Sequence, residues 1–115
     1  MTVTIYHNPR CSKSRQTLSL LEEKGVAPEI VLYLENPPAK TVLKSIVQKL
    51  GASSARDIMR VKEAPYIELE LANVDAETAL IDAMAEHPIL IERPIVVNGD
   101  KAAIGRPPEN VLDIL

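Results

Sequence analysis

The chain has 115 residues, 13 basic and 16 acidic side chains for a net charge of −3, one cysteine, and neither Trp nor Phe. One domain over residues 1–115 is expected at this length, and the lone cysteine excludes an internal disulfide and any multi-cysteine zinc or iron–sulfur centre, so no metal site is expected. Three tyrosines and an acidic balance leave neither a stacking platform nor a phosphate-binding face, which argues against nucleic acid as a partner.

At the N-terminus, Met1–Tyr6 lacks the basic start and long apolar run of a signal peptide. Nothing along the sequence approaches the roughly 20 apolar residues that span a bilayer. The expectation is a soluble cytoplasmic protein whose thiol stays free in the reducing cytosol.

Thr2 to Tyr6 alternates polar and apolar residues and predicts a strand. His7-Asn8-Pro9-Arg10 predicts a loop, because Pro9 biases Asn8 away from helical angles. From Ser12, the spacing of Thr17, Leu18 and Leu21 predicts a helix that stops at Lys24-Gly25. The apolar run Glu29 to Leu34 reads as a buried strand. After Asn36-Pro37-Pro38, the residues Val42, Leu43, Ile46, Val47 and Leu50 predict a helix ending at Gly51. A second, short helix capped by Ser53 or Ser54 runs through Ile58 and Met59. A third follows Asp75 and stops at His87-Pro88. Ile89 to Ile91 and Ile95 to Val97 read as strand interrupted by Arg93-Pro94, and Asn98-Gly99 is the strongest hairpin signal, with Lys101 to Ile104 returning. Pro107 or Pro108 starts a final helix through Val111, Leu112 and Leu115. The order predicts an α/β fold: a small mixed sheet flanked by helices, with the helical middle as an insertion.

Charge is unevenly placed. The first 21 residues carry Arg10, Lys13 and Arg15 with no Asp or Glu, whereas the rest of the chain carries −6. This basic cluster surrounds Cys11, which falls where a loop enters a helix. Unpartnered backbone N–H groups and nearby cations there favour a thiolate, and such sites depress a thiol pKa from about 8.5 into the range of roughly 3.5–7.5. The alternative for a lone cysteine is an inert core residue, which the polar neighbours Arg10, Ser12, Lys13 and Ser14 oppose. Cys11-Ser12-Lys13-Ser14 has the C-x-x-S form, so the second thiol of a redox pair is missing. A C-x5-R phosphatase loop is excluded because Thr17 stands where the arginine would be. His7 sits four positions before Cys11, where a protonated imidazole would support the thiolate and a solvated loop histidine is the alternative. Arg93 and Arg106 each precede a proline in otherwise apolar or loop sequence, and each guanidinium needs a carboxylate or a bound anion. Arg60 alone reads as a surface charge.

Taken together, Tyr6-His7-Asn8-Pro9-Arg10-Cys11-Ser12-Lys13-Ser14-Arg15, Leu32-Tyr33-Leu34-Glu35-Asn36-Pro37-Pro38, His87 through Val97, and Gly105-Arg106-Pro107-Pro108-Glu109 closely resemble the glutaredoxin-coupled arsenate reductase family, in a short form ending at Leu115. The resemblance covers residues 2 to 115. It implies a thioredoxin-like fold with a helical insertion, and reduction of arsenate to arsenite with glutathione as co-substrate, glutaredoxin as partner and no tightly bound cofactor. It also implies that Cys11 is the nucleophile, that His7 favours its thiolate, that Ser14 supplies a hydroxyl in the cysteine loop, and that Arg60, Arg93 and Arg106 hold the oxyanion. A cis Arg93-Pro94 bond facing Cys11 is a further implication. The cysteine loop departs from that family's usual small residues at Arg10 and Lys13. Two other activities fit parts of the sequence: a thioredoxin-like regulator that binds RNA polymerase, which Ser14 in place of a second cysteine opposes, and a monothiol glutathione-dependent oxidoreductase.

Overall fold

A computed structural model describes residues 2–115, and its first strand, β1 (Val3–Tyr6), is the alternating stretch at the N-terminus. Helix α1 (Ser12–Glu23) follows. It ends where Gly25 adopts φ 77°, a left-handed backbone that glycine takes without a Cβ penalty. Strand β2 (Glu29–Val31) returns parallel to β1, with Ile5 opposite Ile30. Strands β3 (Ile95–Asn98) and β4 (Lys101–Ile104) form a hairpin, and β3 lies antiparallel to β1, with Ile5 opposite Val96. The four described strands make one mixed sheet in the order β2-β1-β3-β4. Asn98 pairs with Lys101, so the two-residue loop is Gly99-Asp100, with Gly99 at φ 63°. A positive φ at the first loop position is the pattern of a type II′ turn. The chain closes with a 3-10 helix, Pro108–Ile114, and Asn98 Nδ2 donates to the Ile114 carbonyl at 2.7 Å. Ile5, Leu21, Val96 and Val111, all fully buried, join sheet, α1 and this last helix in one apolar cluster. These elements belong to one compact unit, made of the chain up to Asn36 together with Arg93–Leu115.

Pro37–Glu92 forms the second unit. Helices α2 (Lys40–Lys49) and α4 (Glu77–Glu86) pack against each other and share a Lys40–Asp82 ion pair of 3.1 Å. Between them run a 3-10 turn (Ala55–Ile58), the short helix α3 (Ala64–Glu68) and a second 3-10 turn (Leu71–Asn73). Arg56 ties them together: its guanidinium donates to the Tyr66 hydroxyl (2.6 Å), to the Leu71 carbonyl (2.9 Å) and to the Val74 carbonyl.

Several sequence expectations need correction. The strand expected over Glu29 to Leu34 stops at Val31 and lies at a sheet edge, leaving Ile30 47% and Leu34 44% exposed, while Tyr33 is buried. An unbroken apolar run suggests a strand covered on both faces, but order within a sheet is a tertiary property. Ile89 to Ile91 is no sheet strand: Pro88–Leu90 is 3-10, and Ile91 makes a single bridge to Met59. Helix α3, with proline in its first turn, was absent from the expected elements. The Ser54 segment and the last helix are 3-10 rather than α. Among the described residues no helix is long and apolar enough to cross a membrane.

Candidate active site

Cys11 is the N-cap residue of α1, with extended backbone angles (φ −92°, ψ 123°). Its N–H donates to the Asn8 carbonyl at 3.0 Å, and its own carbonyl accepts from Arg15 N–H at 3.0 Å, so the turn holding the sulfur is closed at both ends. Asn8 Oδ1 accepts from Arg10 N–H at 3.0 Å, and Arg15 Nη1 donates to the Pro9 carbonyl at 2.8 Å. These bonds fold the Asn-Pro-Arg loop onto the start of the helix.

The thiol is free and partly exposed. Burial raises its pKa, but the backbone N–H of Ser14, the Arg93 guanidinium, the backbone N–H of Lys13 and the Arg106 guanidinium outweigh it, and the thiol titrates below its ordinary value. The helix-start N–H groups act as the sequence leads one to expect, and only the source of the cations differs. The charges that matter arrive from the β3 and β4 ends of the chain, and Lys13 acts through its backbone rather than its ammonium; the Arg10 side chain is exposed.

Arg106 contacts the sulfur directly. Its Nη2 lies 3.4 Å from Cys11 Sγ, while its Nε donates to the Arg93 carbonyl at 2.7 Å. The second bond fixes the guanidinium fork and joins the two arginine segments. The Arg93-Pro94 peptide is cis, as the resemblance implied, and so is Arg106-Pro107.

His7 is buried at the end of β1, and its Nδ1 lies 2.6 Å from Ser14 Oγ. The Asn8 backbone N–H donates to the same oxygen at 3.0 Å. Burial and the Arg15 charge both push His7 below the ordinary histidine value. Both causes disfavour the protonated imidazole that sequence spacing allowed. A neutral ring accepting the Ser14 proton at Nδ1 fits these contacts, since the hydroxyl then accepts from Asn8 and donates to His7.

Cys11, His7, Ser14, Arg93 and Arg106 thus come together in the first unit. Arg60 belongs to the second, where its guanidinium is 2.7 Å from Glu63 and its N–H donates to the Leu90 carbonyl at 2.7 Å. Sequence reasoning counted Arg15 only as charge and gave it no structural task. The signal was present in Asn8-Pro9, a loop whose carbonyls need a donor from outside. Among the described residues no group of three or more His, Cys, Asp and Glu is placed to hold a metal.

The chain is 59% identical over 114 residues to the uncharacterized protein YfgD of Escherichia coli K12, covering 98% of this chain and 96% of that protein. It is 57% identical over 116 residues to an arsenate reductase of Haemophilus influenzae, covering both proteins in full. A solved arsenate reductase from Vibrio cholerae superimposes with a TM-score of 0.96 at 55% identity, covering 100% of this chain and 98% of that one. With these likenesses, and with residues 6–114 matching its pattern, the chain belongs to the ArsC family.

Proposed function

We propose that this protein reduces arsenate to arsenite, with Cys11 as the nucleophile and glutathione and glutaredoxin as the source of electrons. The observation that carries this reading is the Arg106 fork, anchored on the Arg93 carbonyl and directed at a cysteine sulfur whose pKa is held below its ordinary value. Relatives named arsenate reductase over the full length of the chain support it.

The chemistry follows from charge. Arsenate is a dianion near neutral pH, so an anionic sulfur approaches it only where fixed cations offset the repulsion. Planar guanidinium groups match the oxygens of a tetrahedral oxyanion better than ammonium groups do. Arg93 and Arg106 hold the anion beside Cys11 in this reading. Cys11 Sγ attacks arsenic and one oxygen leaves as water after protonation, giving a sulfur–arsenic bond. A glutathione thiolate then attacks Cys11 Sγ. The sulfur–arsenic bond breaks with its electron pair left on arsenic, which becomes trivalent, and Cys11 and glutathione are joined in a disulfide. A glutaredoxin thiolate attacks the glutathione sulfur of that disulfide and frees the Cys11 thiolate. His7 and Ser14 keep the cysteine loop in register through their hydrogen bond.

The test is arsenite formation by the purified protein with glutathione and glutaredoxin supplied. Activity that requires both thiol sources and disappears in Cys11→Ser is the expected result. Full activity in Cys11→Ser overturns the nucleophile, and activity without glutathione overturns the coupling. The cytoplasm, where glutathione is abundant, is the compartment this function needs.

A further inference from the structure

Gly105 directly follows β4 and immediately precedes Arg106. Its φ is not positive, so no left-handed turn demands a glycine there. Space demands it. A Cβ built on Gly105 would stand 2.4 Å from Thr17 Oγ1, 2.8 Å from Pro94 Cγ and 3.0 Å from Thr17 Cγ2. Glycine in such a place marks a close approach of backbone to its surroundings.

The two neighbours are themselves held. Thr17 is fully buried on α1, and its hydroxyl donates to the Lys13 carbonyl at 2.8 Å while lying 3.5 Å from the Gly105 carbonyl. Pro94 is buried, and its carbonyl accepts from Gly105 N–H at 3.0 Å. Gly105 is therefore clamped between the helix that carries Cys11 and the segment that carries Arg93. From that clamp the next residue sends its guanidinium to Cys11 Sγ and to the Arg93 carbonyl.

We infer that Gly105, closed against Thr17 and Pro94, is a positioning residue that sets where the Arg106 guanidinium stands relative to Cys11. The clamp joins three parts of the site far apart in sequence, and any side chain at position 105 must move β4 away from α1 or tilt α1 itself. Either movement changes where Arg106 stands relative to Cys11. The inference rests on reading Cys11 and Arg106 as parts of one oxyanion site, but its primary readout needs no arsenate.

The test is a cycle of Gly105→Ala, Thr17→Ala and the double variant, reading the pH midpoint of Cys11 alkylation by iodoacetamide and, separately, KM and kcat for arsenate. In Gly105→Ala the midpoint is expected to rise by about one pH unit, a ten-fold loss of thiolate below it, with KM for arsenate rising about ten-fold and kcat changing less. Thr17→Ala alone leaves the midpoint near that of the parent protein. In the double variant two of the three close contacts are gone, and the midpoint returns most of the way. A folded Gly105→Ala with the parent midpoint and KM overturns the inference. If Gly105→Ala alone does not fold, the double variant decides: folding with the midpoint restored supports the clamp, and failure to fold or to restore it contradicts it. A shifted midpoint in a protein that never reduces arsenate would sink the proposed function and leave the positioning role standing.

Discussion

Arg106 shows how much one side chain can join. Its Nη2 meets Cys11 Sγ at 3.4 Å and its Nε holds the Arg93 backbone at 2.7 Å, so one planar group ties sulfur, β3 entry and β4 exit together. Lysine keeps the charge and loses the fork. Arg106→Lys is therefore expected to fold normally and to lower kcat/KM for arsenate at least ten-fold, about 1–2 kcal/mol of transition-state stabilisation. The sign of the accompanying titration is fixed. Arg106 helps hold the folded-state thiol below its ordinary value, so weakening that contact moves the Cys11 alkylation curve to higher pH. Steady-state kinetics and alkylation rates across pH check both parts, and full activity with a lower melting temperature would mark Arg106 as a structural residue instead. The lowered pKa of His7 belongs to the same loop. Burial, first, and the Arg15 charge both disfavour an imidazolium at this position.

Among the elements, the turn at Ser54 shows how a segment too short to be stable alone is fixed by its caps. Ser54 Oγ accepts from the Arg56 N–H at 3.1 Å, and Asp57 reaches back to the Ser54 N–H at 3.3 Å, a capping box around a 3-10 turn. The Ser54 hydroxyl donates to Glu77 Oε2 at 2.6 Å, and the Ala55 N–H donates to Glu77 Oε1 at 2.7 Å, so the first residue of α4 is bonded to the same turn. The Ser54 hydroxyl, first, and the Ala55 N–H hold the Glu77 carboxyl below its usual range. A carboxyl depressed in the folded state contributes stability that is present above its unfolded pKa of about 4.3 and is lost as pH falls through the lower folded value. Ser54→Ala should destabilise by roughly 0.5–2 kcal/mol near neutral pH, and by less once Glu77 is protonated. Chemical denaturation at pH 7 and at pH 3 measures both. A loss that is the same at the two pH values would remove Glu77 from the account.

Across the whole molecule, local signals were legible and long-range ones were not. The β1-loop-α1 junction could be read from Pro9, the apolar spacing and Gly25, because each acts within a few residues, and the same is true of the β3–β4 hairpin. The hairpin's finer register escaped, since Asn98 turned out to be the last paired residue rather than a loop residue. The exposure of Ile30 depends on β2 standing at an edge, which no periodicity reveals. The site divides along the same line. Cys11, His7 and Ser14 lie within eight consecutive positions and could be singled out by spacing, whereas the joining of Arg106 to Cys11 and of Gly105 to Thr17 spans most of the chain. Arg93 and Arg106 stood out by the prolines that follow them and the family likeness added Arg60, but neither signal pointed to Gly105 as a clamp. The central claim is that Cys11 passes electrons to a bound oxyanion and emerges oxidised. Intact-mass measurement after one turnover, with arsenate and glutathione present and glutaredoxin withheld, tests it most directly. The account predicts a single glutathione joined to Cys11 by a disulfide that reductant removes, formed only when arsenate is present. Arsenite appearing while Cys11 remains unmodified, or the same adduct forming equally without arsenate, would contradict it.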